Sequence, residues 1–188
     1  ECGCLYLALT GGEIFMRPDF FTIARYARKL GFALRLFTNG TFIDEDNADK
    51  IKELYPLTVE ISIYGFRKTH DSITRVPGSF DRTTKAIRLL AKRKVEVLTK
   101  TMLMRQNVHE FWRLDKYISQ LGAQSFGVGG GLMITACDDG NCRPLRYRLT
   151  DVQLKRYLRK EVNYFIQNKL KYFPKKLISS EIICLAGI

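Results

Sequence analysis

Two adjacent glycines and a carboxylate, Gly11-Gly12-Glu13, close the apolar run at 5–10 in "LYLALTGGE". A hairpin turn wants one glycine, usually behind Asn or Asp, and a capping glycine follows a helix rather than a strand. A pair without Cβ atoms at the end of a buried strand lets another molecule lie directly on the backbone. Glu13 can then accept a charge-assisted hydrogen bond from an ammonium group. Further along, "ALRLFTNG" ends on Thr38, Asn39 and Gly40. "LTVEISIYG" sets Glu60, Ser62 and Tyr64 against Val59, Ile61 and Ile63 at alternate positions. Lys100 stands in a fourth run at 95–104, with Arg105 and Asn107 just beyond it. Polar groups inside strands cost roughly 1–3 kcal/mol each unless they are paired. Glu60 and Lys100 therefore have two readings: an ion pair across the interior, or contacts to a ligand with an ammonium, a carboxylate and hydroxyls. Ser62 either satisfies a loop or meets such a hydroxyl. The second reading describes an amino acid joined to a sugar.

These residues need elements that gather them. Strand-like runs start near 5, 33, 57, 95 and 125. Between them "RPDFFTIARYARKLG", "DEDNADKIKELY", "SFDRTTKAIRLLAKRK" and "NVHEFWRLDKYISQLG" read as helices. The first has Pro18 early and Gly31 as its stop; the second has acids in its first turn. "HDSITRVPGSF" at 70–80 reads as a loop, "SFGVGGGLMI" as a fifth strand weakened by three glycines, and the tail from Thr150 as a basic helix. Repeated βα units imply parallel strands with helices outside and right-handed connections. A (β/α) barrel, whole or partial, and an open doubly wound sheet both fit. In either, ligands lie at the carboxyl ends of the strands, where the residues above collect. "TGGE" lacks the spacing of a dinucleotide site, and no Walker lysine follows.

With 188 residues, 46% hydrophobic and 27% charged, the composition is that of one globular domain. No apolar run approaches a membrane span and no signal-peptide pattern opens the chain, so a cytoplasmic protein is expected. Cysteines at 2, 4, 137, 142 and 184 form no disulfide framework, which also fits a reducing compartment. The first residue is Glu rather than Met, and the chain stops at "CLAGI"; it reads as a fragment cut at both ends. The net charge is +12, with eight Lys or Arg against one Glu in 154–177. That stretch is either a solvated face or a surface for an anionic partner. His70, beside Asp71, reads as a cap for a short local helix, and His109 as solvent-facing; neither has the partners of a metal ligand.

Taken in order, the motifs resemble the radical S-adenosylmethionine (SAM) enzymes, and more closely the branch with a C-terminal auxiliary iron–sulfur domain of the SPASM type. "LALTGGEIFMRPDF" resembles the family's GGE motif. "LRLFTNGTFID" resembles the next strand with its T-N-G end. "VEISIYG" and "THDSITRVPGSFDRTTKAIRLLA" resemble the ribose strand and the helix after it. "ITACDDGNCRPLRYRLT" resembles a late-barrel loop, with Ala136-Cys137 where Pro-Arg is expected, and "CLAGI" resembles the opening of an auxiliary domain.

The resemblance implies an α/β fold: a partial (β/α) barrel missing its first strand and its cluster loop. It implies a barrel core over 1–150, a basic helical linker over 151–183 and the start of an auxiliary domain at 184–188. Gly11, Gly12 and Glu13 would hold the methionyl group of SAM. Thr38 and Asn39 would line the pocket beside it, and Ser62 would bind the ribose. Lys100 is offered to the SAM carboxylate on charge and strand face, and Cys184 to an auxiliary cluster. The family's C-x-x-x-C-x-x-C loop is absent here, and Cys2 and Cys4 have the wrong spacing to replace it, since a [4Fe–4S] site needs three thiolates on that loop. The implied activity of the full-length protein is reductive cleavage of SAM and hydrogen abstraction from a substrate, with an electron donor as partner. A ribosomal peptide with an acidic leader is the expected substrate, and a nucleic acid is not. The alternative is a non-catalytic barrel that binds a nucleoside or peptide without a cluster.

Overall fold

The structure is a computed structural model and describes residues 3–128, 134–137 and 139–168. Its contacts divide the chain into two units, residues 1–148 and 149–188. The first unit alternates strands and helices: β1 (Tyr6–Leu9), α1 (Phe20–Lys29), β2 (Ala33–Thr38), α2 (Glu45–Glu53), β3 (Thr58–Ser62), α3 (Arg67–Thr74), α4 (Ser79–Lys92), β4 (Val97–Thr101), α5 (Phe111–Gln120) and β5 (Ser125–Val128). Short 3-10 helices lie at Ile14–Met16 and Arg143–Tyr147. Every neighbouring strand pair is parallel, and the sheet order is β1-β2-β3-β4-β5. That order decides between the two architectures. A doubly wound sheet reverses its strand order at a switch point, whereas a barrel adds each strand beside the last. The described strands form part of an α/β barrel.

Register sorts the side chains onto two faces. Leu34, Leu36, Val59, Ile61, Ile63 and Val97 are fully buried and face the helices. They pack against Phe20 and Ala24 of α1, Ile51 of α2, Ile87 and Leu90 of α4, and Leu114 and Ile118 of α5. Each such side chain is worth about 1.5–3 kcal/mol of transfer free energy. The other face carries Arg35, Phe37, Glu60, Ser62 and Lys100, placed together by the pairs Phe37↔Glu60 and Ser62↔Lys100. One face therefore holds the fold together, and the opposite one gathers the polar and charged side chains.

Local rules explain both ends of α2. Asp44 caps α2 by accepting the Asn47 N–H at 2.8 Å, with Glu45 and Asp46 in the first turn and Lys50 and Lys52 in the last. The 70–80 segment is not all loop: its first half belongs to α3. The only buried residue of that helix is His70, so it has no apolar stripe for periodicity to detect. The expected His70 cap is absent. The imidazole is buried, its Nδ1 accepts the Tyr64 N–H at 3.1 Å, and its ring stacks on Tyr64. Asp71 does the capping, accepting from Gly78 N, Ser79 Oγ and Phe80 N at 2.7–2.9 Å, and these bonds, Phe80's first, lower its pKa. β4 also stops earlier than expected, at Thr101. Buried Asn107 bends the chain there, accepting from Met104 N and donating to the Met102 carbonyl.

In the second unit, α6 (Asp151–Asn168) is the expected basic helix, with Lys155, Arg156, Arg159 and Lys160 exposed. Among the described residues no helix is long and apolar enough to cross a membrane.

Candidate functional site

β1 delivers Thr10-Gly11-Gly12-Glu13 to the carboxyl edge of the sheet, and Glu13 begins the 3-10 helix at Ile14–Met16. Its Oε1 accepts the Phe15 N–H at 3.2 Å, so the motif acid caps its own following turn. The same oxygen accepts the Thr38 hydroxyl at 2.7 Å, and Oε2 accepts the Asn39 N–H at 2.8 Å. An ionised carboxylate offers about four lone-pair positions. Three are used, and one remains for a ligand donor.

The strand-two end is fixed in turn. Thr38 Oγ1 accepts from Gly40 N at 3.0 Å, and the Asn39 carbonyl accepts the Thr83 hydroxyl of α4 at 2.8 Å. Asn39 Oδ1 accepts from both Thr41 N and Thr41 Oγ1, so its side-chain oxygen is engaged. Gly40 has φ +78°, and a Cβ there would meet Ala86 Cβ at 3.3 Å.

Gly11 and Gly12 differ from Gly40. Cβ atoms built on them have no neighbour within 4 Å. Packing therefore does not require these glycines and the space above them is open; the Gly11 backbone, at φ +150°, favours glycine in its own right, whereas nothing local requires one at Gly12. An open cleft of about 490 Å³ is bounded by Thr10, Gly11, Gly12, Glu13, Arg17 and Ile23, within the range of small-molecule sites. A smaller hollow of about 240 Å³, beside Tyr55 and Glu96, lies at the amino ends of β3 and β4, away from these residues.

Two strands over from β1, half-buried Ser62 ends β3, and its hydroxyl bonds no other described residue. Lys100 is opposite it in register, with its ammonium directed to Glu60. Of the two readings of Glu60 and Lys100, the ion pair is present. It has a third member that the sequence reading missed: Arg35, which pairs with the other oxygen of Glu60. The only signal was one arginine on the alternate face of "ALRLFT". Glu13, Thr38 and Asn39 are thus joined by hydrogen bonds, and Ser62 and Lys100 stand side by side on the neighbouring strands.

Arg105 and Asn107 are structural. Arg105 donates through its backbone N–H to the Tyr147 carbonyl at 2.8 Å, and Asn107 holds its turn. Glu110 was not anticipated: it accepts from Phe66 N at 2.8 Å and Thr69 Oγ1 at 2.9 Å, which secures the turn after β3. A Cβ on Gly65 would meet Glu110 Oε2 at 2.6 Å. His109 is exposed, as expected. Cys4, Cys137 and Cys142 are free and exposed, and no described residues form a group of three metal-ligating side chains. Cys184 lies outside the described residues.

Residues 1–118 match the Radical SAM superfamily. The chain belongs to this superfamily. It is 33% identical over 123 residues to an AdoMet-dependent heme synthase of Methanosarcina barkeri, covering 65% of this chain and 35% of that protein. It is 30% identical over 126 residues to the subtilosin biosynthesis protein AlbA of Bacillus subtilis, covering 66% and 28%. Among solved structures, anSMEcpe with bound AdoMet and a peptide superposes with TM-score 0.67 at 19% identity, covering 88% of this chain and 48% of that one. Streptococcus suis SuiB bound to its precursor peptide SuiA gives 0.68 at 14% identity, covering 87% and 36%. These superpositions carry the fold. The radical SAM chain described here spans about a third of the length of the curated relatives it matches.

Proposed function

We propose that this chain is the SAM-binding part of a radical SAM enzyme, with Gly11, Gly12 and Glu13 receiving the methionyl group. The observation that carries the reading is Glu13: its carboxylate is held by Thr38 and Asn39, keeps an acceptor position free, and lies beside two glycines that packing does not require. An ammonium fits that position as a charge-assisted donor. Thr38 and Asn39 act by fixing Glu13, Ser62 offers its free hydroxyl to the ribose, and Lys100 offers its ammonium to the SAM carboxylate. SAM, when bound and reductively cleaved, supplies hydrogen abstraction; the residues here bind it and orient it.

The described residues do not fit a [4Fe–4S] cluster, because no three ligating side chains are grouped. A cluster in the intact protein would need thiolates from elsewhere, Cys184 being offered to an auxiliary one, together with an electron donor. Three exposed free thiols support a cytoplasmic setting.

For the substrate we favour a peptide with an acidic leader, supported by the four exposed cations on α6 and by charge complementarity. By name AlbA serves bacteriocin biosynthesis and SuiB is bound to a precursor peptide, whereas the other relative is a heme synthase.

The test is 5′-deoxyadenosine formation from SAM by the intact protein, reconstituted with iron and sulfide under anaerobic conditions. Turnover supports the reading. Absence of both bound iron and deoxyadenosine leaves a barrel that binds without catalysing.

A further inference from the structure

Deeper on the inner face, three charges meet around one aromatic ring. Glu60 accepts a hydrogen bond from Arg35 through Oε1, while its buried Oε2 faces the Lys100 ammonium as an ion pair and has no hydrogen-bond partner among the described residues. The acid side chain is 1% exposed, while Arg35 and Lys100 remain 43% and 39% exposed. Both cations lie over Phe37, with Arg35 Cζ 5.5 Å and Lys100 Nζ 5.1 Å from its centroid.

One carboxylate neutralises one cation, so the cluster keeps a charge of +1. Arg35 has five N–H donors and Lys100 three, and among the described residues each gives a single hydrogen bond or ion pair, both to Glu60. A barrel face built for stability alone carries Val and Ile. Holding two cations against one buried acid instead costs like-charge repulsion, which a second anion on the exposed side would relieve. Guanidinium and ammonium groups pre-set in this way suit a planar carboxylate.

We propose that Arg35 and Lys100, held by Glu60 over Phe37, form a carboxylate-binding site on the inner face of the barrel. Arg35 is its new member, and Glu60 is the positioning residue. The inference rests on the SAM-binding reading for its setting. The carboxylate comes either from SAM itself or from the substrate.

Titrating the intact protein with SAM, decarboxylated SAM and glutarate separates the two sources. If the carboxylate is SAM's, Arg35→Gln weakens SAM at least tenfold and spares decarboxylated SAM. If it is the substrate's, both adenosyl ligands bind the variant as they bind the parent, and glutarate binding falls at least tenfold. Glu60→Gln removes the shared anchor of both cations and weakens whichever carboxylate binds, and Glu60→Asp restores part of that affinity; a purely structural role predicts a lower melting temperature with carboxylate affinity unchanged. Lys100→Gln is read in the same way should Arg35→Gln not fold. The proposal is overturned if every ligand binds the variants and the parent alike, or if the parent neither prefers SAM to its decarboxylated form nor binds glutarate. Failure of the parent to bind either adenosyl ligand counts against the SAM reading alone, and the glutarate arm then decides this one.

Discussion

Glu13 and Asn39, 26 residues apart, are joined by a 2.8 Å hydrogen bond from the Asn39 N–H to the Glu13 carboxylate. The bond ties the end of β1 to the end of β2 and aims the acid before any ligand arrives. Glu13→Gln puts an amide NH₂ where one of two donors, the Thr38 hydroxyl or the Asn39 N–H, now points. The expected result is a loss of about 1–3 kcal/mol in SAM binding, the worth of a hydrogen bond to a charged group. Equilibrium dialysis reads it. A lower melting temperature should accompany it, because the inter-strand tie weakens.

Ser62 makes no hydrogen bond to another described residue, so removing its hydroxyl costs the fold little. Ser62→Ala should leave thermal unfolding unchanged and weaken SAM by about 1 kcal/mol, a neutral contact. Equal affinity in the two proteins would place the ribose elsewhere.

His70 predicts a pH effect on stability. Burial pushes its imidazole down from 6.5 to about 4, against the pull of the Asp71 charge. The folded state holds the ring neutral, and its Nδ1 must accept the Tyr64 N–H. Between pH 6.5 and about 4 the unfolded chain takes up a proton that the native chain does not. Stability from this group is therefore complete above pH 6.5, falls as pH drops to about 4, and then levels. The span is roughly 3 kcal/mol. Urea unfolding at a series of pH values should show that slope in the parent and a shallower one in His70→Gln.

Much of the fold was legible, for particular reasons. The alternation of Val59, Ile61 and Ile63 with Glu60 and Ser62 reads directly as a two-faced strand, and Gly11-Gly12-Glu13 as a strand end that packing alone does not require. Helix α3 was not legible, because it docks through His70 rather than through an apolar stripe. Arg35 was missed because its partner, Glu60, is 25 residues away and becomes a neighbour only through the β2–β3 register. The early end of β4 depends on Asn107, whose amide bridges Met102 and Met104 and leaves no mark on hydrophobic periodicity.

The most direct test is Gly12→Ala. Its added methyl has no protein atom within 4 Å, and the backbone of Gly12 is not in the left-handed region. In the intact protein the account predicts an unchanged melting temperature with SAM affinity, measured by equilibrium dialysis, reduced tenfold or more, because the methyl occupies space that the ligand needs. Unchanged SAM affinity in a folded Gly12→Ala protein would contradict the assignment of this site.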